Sequence, residues 1–113
     1  MANKVYKKFL SCDSKSTTLP ITEEQFMSQV IQMAEYAGFM AYHTHDSRRS
    51  EPGFPDLVLV KQPRIIFIEC KAEKGIVSAE QLRWLTELAG CTSVECFVWR
   101  PSEWTEIEKI ITR

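Results

Sequence analysis

Three residues near the middle of the chain have side chains suited to hydrolytic chemistry: Asp56, Glu69 and Lys71. Asp56 directly follows a Gly-Phe-Pro turn, and Glu69 lies thirteen residues later, near the end of an apolar run. Side chains alternate along a strand, so Glu69 and Lys71 share one face while Cys70 points to the other. Antiparallel pairing through a tight turn can bring Asp56 beside Glu69. Two carboxylates and the Cys70 backbone carbonyl are then oxygen ligands suited to Mg²⁺ or Mn²⁺.

Lys71 would lie next to such a metal site. An ammonium group there can help to orient or deprotonate a water molecule, or stabilise charge that develops on a phosphate. The alternative is that Glu69 and Lys71 form a solvent-facing pair on an edge strand, because E-x-K alone is a common pattern. The apolar run 65–68 is typical of a buried strand, however. A carboxylate and an ammonium group on one face at the end of a buried strand indicate a functional role.

The elements that must position these residues follow from capping patterns and apolar periodicity. Thr22 with Gln25, and Ser78 with Gln81, have the form of capping boxes, which begin helices. The strands 56–60 and 65–71 are joined by a tight turn and are therefore expected to be antiparallel, whereas the strand after the second helix is expected to be parallel to its neighbour. The predicted elements are a helix at 22–37, strands at 39–44, 56–60 and 65–71, a helix at 78–89, a strand at 94–99 and a last helix from 101. The sequence therefore predicts an α/β fold, αβββαβ with a final helix, in which helices flank a mixed sheet.

The composition limits the class of protein. With 113 residues the chain is expected to form one domain at 20–113, preceded by an N-terminal arm at 1–19. The 14 Lys and Arg against 15 Asp and Glu argue against a general polyanion binder, so a nucleic-acid contact needs a local basic patch or metal ions that screen carboxylates. The four cysteines form no CxxC pair, which disfavours a structural zinc site. No signal peptide or membrane span is evident, so a cytoplasmic location is expected.

Several short motifs together resemble one family. GFPD at 53–56, ECK at 69–71 and Gln81 followed by Trp84 are similar to the PD-(D/E)XK nuclease superfamily. More narrowly, the chain resembles the VRR-NUC group, found as small stand-alone phage and bacterial proteins and as a domain of larger repair nucleases. The likeness extends from about 22 to 104 and includes SRRSEPGFPD, S-x-E-Q-x-x-W and VWRPSEW. The resemblance implies a restriction-endonuclease-like core and metal-dependent DNA cleavage.

The resemblance also implies roles for individual residues. It makes Asp56, Glu69 and the Cys70 carbonyl metal ligands, and Lys71 the catalytic lysine. Members of the family usually carry a further acidic residue in the first helix that completes the metal site.

Two neighbouring glutamates compete for that further position, Glu23 and Glu24. Glu23 is preferred because it shares a helix face with Phe26 and Val30, whereas Glu24 points away. Both glutamates are equally explained as favourable charges at a helix N-terminus. Gln81 also has two explanations: the capping box alone accounts for it, and the family match favours a role in the site.

The loop before Asp56 contains further polar candidates. Arg48 and Arg49 can bind the phosphates that flank a scissile bond, and a solvated loop is the alternative, for Arg49 above all. His43, His45 and Asp46 invite comparison with a zinc site, but Cys and Glu partners at suitable spacing are absent. Histidines near the substrate are the preferred interpretation.

The resulting hypothesis is a Mg²⁺- or Mn²⁺-dependent DNA endonuclease without an organic cofactor. Stand-alone members of the group, from phage or bacteria, resemble structure-selective nucleases of DNA repair, which act on branched DNA such as Holliday junctions or flaps. A homodimer suits such a substrate, because two active sites can act on two strands related by symmetry. The alternatives are a catalytically weak nucleic-acid-binding or accessory module of the same fold, and a sequence-specific restriction-type nuclease.

Overall fold

The computed structural model describes residues 21–44 and 51–113. Its elements are helix α1 (Glu23–Tyr36), strands β1 (Met40–His43), β2 (Leu57–Lys61) and β3 (Arg64–Cys70), helix α2 (Ala79–Ala89), strand β4 (Glu95–Trp99), a 3₁₀ turn (Pro101–Glu103) and helix α3 (Trp104–Thr112). The predicted α/β class and the order of elements are confirmed. The predicted arm at 1–19 lies outside the described residues. No helix in the described ranges is long and apolar enough to cross a membrane.

The four strands form one mixed sheet in the order β1-β2-β3-β4. β1 pairs with β2, and β2 with β3, in the antiparallel sense, whereas β4 is parallel to β3, as the helix between them requires. β3 is therefore an inner strand, paired on both sides. The alternative in which Glu69 and Lys71 form a solvent-facing pair on an edge strand is wrong.

Both predicted capping boxes are present. Thr22 accepts a hydrogen bond from the Gln25 backbone N–H, and the Gln25 side chain accepts one from the Thr22 backbone N–H. Ser78 and Gln81 form the same reciprocal pair at the start of α2. Each box satisfies two of the N–H groups that a helix leaves without an intrahelical partner, and so fixes where the helix begins.

The main core lies between the sheet and the helices α1 and α3. Phe26 and Val30 of α1 are fully buried, and they pack with Ile66 and Ile68 of β3 and with Ile107 of α3. Burying an aliphatic side chain of this size contributes about 1.5–3 kcal/mol. Since α1 buries the face of Phe26 and Val30, its first turn is held beside the end of β3.

The opposite face of the sheet is covered only in part. α2 packs against β4, where Leu85 contacts Val98 in a smaller cluster. The part of this face on β1, on β2 and at the start of β3 is not covered by the described helices, and we call it the open face. Its exposed apolar residues are Met40, Tyr42, Val60 and Ile65, with 76%, 62%, 38% and 37% of their surface exposed. Toward the end of β3 the same face of the sheet is covered, because Phe54 contacts Phe67 and Gln81 of α2 contacts Glu69.

The exposure of Ile65 corrects one expectation. The run 65–68 was expected to be buried throughout, yet only Ile66 and Ile68 are fully buried. Successive strand residues point to opposite faces, and none of the described helices lies over the part of the face that carries Ile65. The continuous apolar run therefore belongs to a strand whose residues are fully buried on the face toward the main core and partly exposed on the other face.

Candidate active site

Asp56 and Glu69 meet at the end of the β2–β3 pair. The register sets Leu57 opposite Ile68, so the next step of the antiparallel ladder sets Asp56 opposite Glu69. Asp56 Oδ2 accepts a hydrogen bond of 3.0 Å from the backbone N–H of Cys70. The Asp56 carboxylate is thereby fixed against the end of β3, where Cys70 presents its backbone and buries its side chain in the main core.

A third carboxylate comes from α1. Glu23, Asp56 and Glu69 each offer an oxygen, and these atoms all lie within 4.8 Å of one another. Of the two glutamates that competed for this position, Glu23 belongs to the cluster, because it shares the helix face of buried Phe26. We call Glu23, Asp56 and Glu69 the carboxylate cluster.

Burial and mutual repulsion change the ionisation of the carboxylate cluster. Burial, followed by the charge of Asp56, raises the pKa of Glu69 to about 8. Burial also raises the pKa of Glu23, and Asp56 adds to that rise while Lys71 opposes it. The cluster therefore has too little positive charge nearby, and a bound cation would favour the ionised form of its buried member.

Lys71 lies directly beside the carboxylate cluster. Its backbone N–H donates to the Trp99 carbonyl at 3.0 Å, which continues the β3–β4 ladder for one residue. Its Nζ lies 3.3 Å from Glu69 Oε2 and 3.8 Å from Glu23 Oε1, and its side chain is 11% exposed. The ammonium group is thus held at the cluster with a small accessible surface.

The Gln81 side chain makes two contacts, one in the capping box and one with Glu69. Its Oε1 accepts a hydrogen bond from the Ser78 backbone N–H at 2.9 Å, which completes the capping box. Its Nε2 donates to Glu69 Oε2 at 3.0 Å. One side-chain amide therefore starts α2 and orients the buried carboxylate.

The remaining oxygen of Glu69 shows that the cluster fits a divalent cation. Glu69 Oε1 is buried and accepts no hydrogen bond from the described residues. A buried carboxylate oxygen without a partner is costly, and a bound cation removes that cost. The ligand set consists of carboxylate oxygens, which suits Mg²⁺ or Mn²⁺ better than zinc.

Comparison with known proteins identifies the family. The family model of the VRR-NUC domain matches residues 3–100. The chain belongs to the VRR-NUC domain family. Neither the curated proteins nor the solved structures gave a match. VRR-NUC domains are part of the PD-(D/E)XK superfamily, so the chain is a nuclease-type domain, for which the family implies DNA as substrate and the use of divalent metal.

The loop before Asp56 carries several of the residues predicted for this VRR-NUC domain. Arg48, Arg49, His45 and Asp46 lie outside the described residues, so the phosphate-binding loop stays a prediction. His43 is on β1. Within the part of the chain that is described, the group able to hold a metal ion consists of Glu23, Asp56 and Glu69.

Sequence reasoning missed the close packing at Gly53 of the VRR-NUC domain. Gly53 has a φ of +87°, and a Cβ atom there would lie 2.5 Å from the Glu80 carbonyl carbon and 2.7 Å from the Gln81 backbone nitrogen. The turn before Asp56 is therefore pressed against the first turn of α2. The Gly-Phe-Pro motif predicts a turn at Gly53, but it does not predict that the backbone of Glu80 and Gln81 lies against this glycine.

We expect Gly53→Ala to destabilise the domain by about 2 kcal/mol or more, because the methyl group adds a clash to an unfavourable φ. Urea denaturation measures this change. Gly90→Ala is the matched control: its Cβ would make ordinary contacts at 3.5 and 3.7 Å with a negative φ, so we expect a change within about 1 kcal/mol. Equal losses from the two substitutions would contradict the packing described at Gly53.

The raised pKa of Glu69 predicts how the stability of the metal-free domain depends on pH. The pKa rises from an ordinary value of 4.5 in the unfolded chain to about 8 in the folded one, so the folded state binds the proton more tightly. Raising the pH through this window therefore favours unfolding, and we expect the Tm to fall by roughly 10 °C between these limits. Differential scanning calorimetry with a chelator present measures it. Glu69→Gln should flatten the curve, and parallel curves for the two proteins would contradict the prediction.

Proposed function

We propose that this domain is a Mg²⁺- or Mn²⁺-dependent DNA endonuclease that selects branched DNA, such as Holliday junctions or flaps. The observation that carries the proposal is the buried Glu69, which lies between Asp56, Lys71 and Gln81 and keeps one oxygen without a partner among the described residues. An ion pair on the protein surface would need neither the burial of Glu69 nor its contacts with several polar side chains. The proposed setting is DNA repair in the cytoplasm of a bacterial or phage-infected cell, and no organic cofactor is proposed.

The proposed metal ligands are Asp56, Glu69, Glu23 and the Cys70 backbone carbonyl. A divalent ion bound there would polarise the scissile phosphate and lower the pKa of the attacking water. Gln81 donates to one oxygen of Glu69 and so orients the carboxylate, whose other oxygen is buried without a hydrogen-bond partner among the described residues.

Lys71 acts on the substrate in this proposal. Its ammonium group lies within 4 Å of two members of the carboxylate cluster, which hold it in place. From that position it can orient the attacking water and stabilise the negative charge that develops on the phosphate. The family resemblance assigns the same role to this lysine.

Selectivity for branched DNA is supported by charge and size. A formal net charge of −1 gives weak attraction for a uniform duplex, and a small catalytic domain has little surface for reading bases. Arg48 and Arg49 are the proposed phosphate contacts, which position DNA but carry no sequence information. The shape of the DNA is then what the protein selects.

A homodimer is part of the proposal, and the open face supplies a surface for it. Its four exposed residues, Met40, Tyr42, Val60 and Ile65, carry no charge, and Val60 lies opposite both Met40 and Ile65 across the three strands. An uncharged face can pack against its own copy without like-charge repulsion, as a two-fold interface requires. Asp56 and Glu69 continue the same face of β2 and β3, so the second copy would bring two active sites close to one branched substrate.

Tyr42→Glu tests the open face. Placing a carboxylate in an apolar interface should weaken the dimer by about 30-fold or more, which sedimentation velocity over a range of concentrations measures. Tyr36→Glu is the matched control, because Tyr36 is 95% exposed at the end of α1 and lies off the open face. Equal dimerisation by the two variants, or a wild-type protein that stays monomeric, would contradict this interface.

Cleavage of a DNA panel tests the function as a whole. The wild-type protein with Mg²⁺ or Mn²⁺ should cut four-way junctions and flaps in clear preference to linear duplex, with little dependence on sequence. Cleavage of one linear sequence at a fixed position would identify a restriction-type enzyme. Binding without cleavage under all metal conditions would identify an accessory module of the same fold.

A further inference from the structure

Arg100 is buried immediately after β4, with 5% of its surface exposed. Its Nη1 donates to three backbone carbonyls, at 3.0 Å to Ala72, 3.2 Å to Glu73 and 2.7 Å to Gly75. These carbonyls all belong to residues 72–75, which we call the post-lysine segment because it directly follows Lys71. A buried guanidinium must find acceptors, and here they come from a single stretch of backbone.

The post-lysine segment has a second attachment to the same region. The Glu73 carboxylate accepts hydrogen bonds from the Ser102 backbone N–H at 2.9 Å and from the Ser102 hydroxyl at 2.6 Å. The backbone N–H of Arg100 donates to Glu103 Oε1 at 2.9 Å, which fixes the start of the 3₁₀ turn. The segment is therefore held to the end of β4 from two sides.

The post-lysine segment in turn borders the lysine side chain. A Cβ atom at Gly75 would lie 3.3 Å from Lys71 Cδ, so the backbone of the segment lies close to the aliphatic part of Lys71. A lysine side chain has four rotatable bonds and loses considerable entropy when it is held in one conformation. Backbone that is fixed beside the chain restricts the positions that the ammonium group can take.

We infer that Arg100 is a positioning residue for Lys71. It fixes the post-lysine segment beside the aliphatic chain of Lys71 and so holds the ammonium group at Glu69. The inference deepens the proposed function and rests on it in one respect, namely that Lys71 acts on the substrate.

Arg64 provides a matched control at the other end of the sheet. Its Nη2 donates to the Ile110 carbonyl at 2.9 Å and its Nη1 to the carbonyl of Arg113 at 3.3 Å, and it pairs with Glu95. Its side chain is 18% exposed. Removing this guanidinium also releases backbone carbonyls and costs stability, but in a region that does not border Lys71.

The first test uses the metal-free protein and needs no activity. Acylation of lysine amines by an activated ester, followed by mass spectrometry, reports how accessible each amine is. Arg100→Met keeps the aliphatic stem of the arginine and should raise the labelling rate of Lys71 several-fold relative to exposed Lys109. Arg64→Met should leave that ratio unchanged. An unchanged ratio in Arg100→Met would overturn the inference.

The second test is a double-mutant comparison of kcat on junction DNA with Mg²⁺. Arg100→Met should lower kcat by about tenfold to a hundredfold with KM unchanged, because the ammonium group is misplaced. In a Lys71→Ala background the same substitution should slow cleavage no further, since its effect passes through the lysine. Arg64→Met should leave kcat within about twofold of its parent in both backgrounds.

Other outcomes are equally decisive. A loss of kcat that Arg100→Met adds in full to Lys71→Ala would show a general effect on folding and overturn the inference. If Arg100→Met does not fold, Glu73→Ala replaces it in both tests, because it releases the other attachment of the segment, and the same results support or overturn the inference. If the wild-type protein cuts no DNA, the proposed function fails, and the labelling of Lys71 alone decides whether Arg100 positions it.

Discussion

Replacing Asp56 by asparagine is expected to abolish the binding of divalent metal and to slow DNA cleavage on the order of a thousandfold. The substitution removes one negative charge of three from the carboxylate cluster, and the contribution of a bound cation to a phosphoryl transition state amounts to several kcal/mol. Asparagine keeps a side-chain oxygen for the hydrogen bond from the Cys70 backbone N–H. The fold should therefore survive, which circular dichroism can verify.

Isothermal titration with Mg²⁺ and Mn²⁺ measures the first effect, and single-turnover cleavage of a four-way junction the second. Glu24→Gln is the matched control, because Glu24 is an exposed carboxylate in the same helical turn as Glu23. The control should bind metal and cleave DNA as the wild type does. Metal binding by Asp56→Asn that equals the wild type would disprove the proposed metal site.

Replacing Lys71 by alanine should slow cleavage by about a hundredfold or more while DNA and metal binding persist. The lysine supplies the positive charge nearest to Glu69 in the described part of the site, and loss of one preorganised stabilising group costs a factor of this size. Metal affinity should not fall, because the variant leaves the carboxylate cluster with less competing positive charge. Single-turnover rates, metal titration and fluorescence anisotropy with junction DNA separate the three quantities.

Lys74→Ala controls for the loss of a positive charge in the same stretch of chain. Lys74 is exposed and lies three residues after Lys71, so it should matter only for general attraction to DNA. A wild-type cleavage rate in Lys71→Ala would make Lys71 a structural ion-pair partner. The proposed chemistry would then have to proceed without it.

Much of the fold could be predicted because its signals are local. Each capping box is read within four residues, and a short turn leaves two strands no choice but antiparallel pairing. The meeting of Asp56 with Glu69 follows from that pairing alone. The preference for Glu23 over Glu24 needed only the helical period and the apolar residues that continue it.

The rest could not be predicted because it depends on contacts between distant parts of the chain. The acceptors of Arg100 lie at 72–75, and nothing in the composition of either segment reveals the other. The close approach at Gly53 depends on where α2 packs. The exposure of Ile65 depends on which part of the sheet the helices cover, and the apolar sequence of β3 does not show this.

The side-chain amide of Gln81 contacts both the Ser78 backbone and Glu69, and this restricts which amino acids are tolerated at position 81. A capping box accepts either glutamate or glutamine at its third position, since each offers an oxygen to the capping N–H. Glutamate at position 81 would keep the cap but set an anion where Glu69 now receives an N–H, and two carboxylates cannot share that contact at neutral pH unless one of them is protonated. Gln25 forms the same box at α1 on an exposed surface, where its side chain has no second hydrogen-bond partner among residues 21–44 and 51–113, so both glutamine and glutamate would serve. Two identical local motifs in one chain thus differ in mutational tolerance, and only the one beside Glu69 is held to a single amino acid.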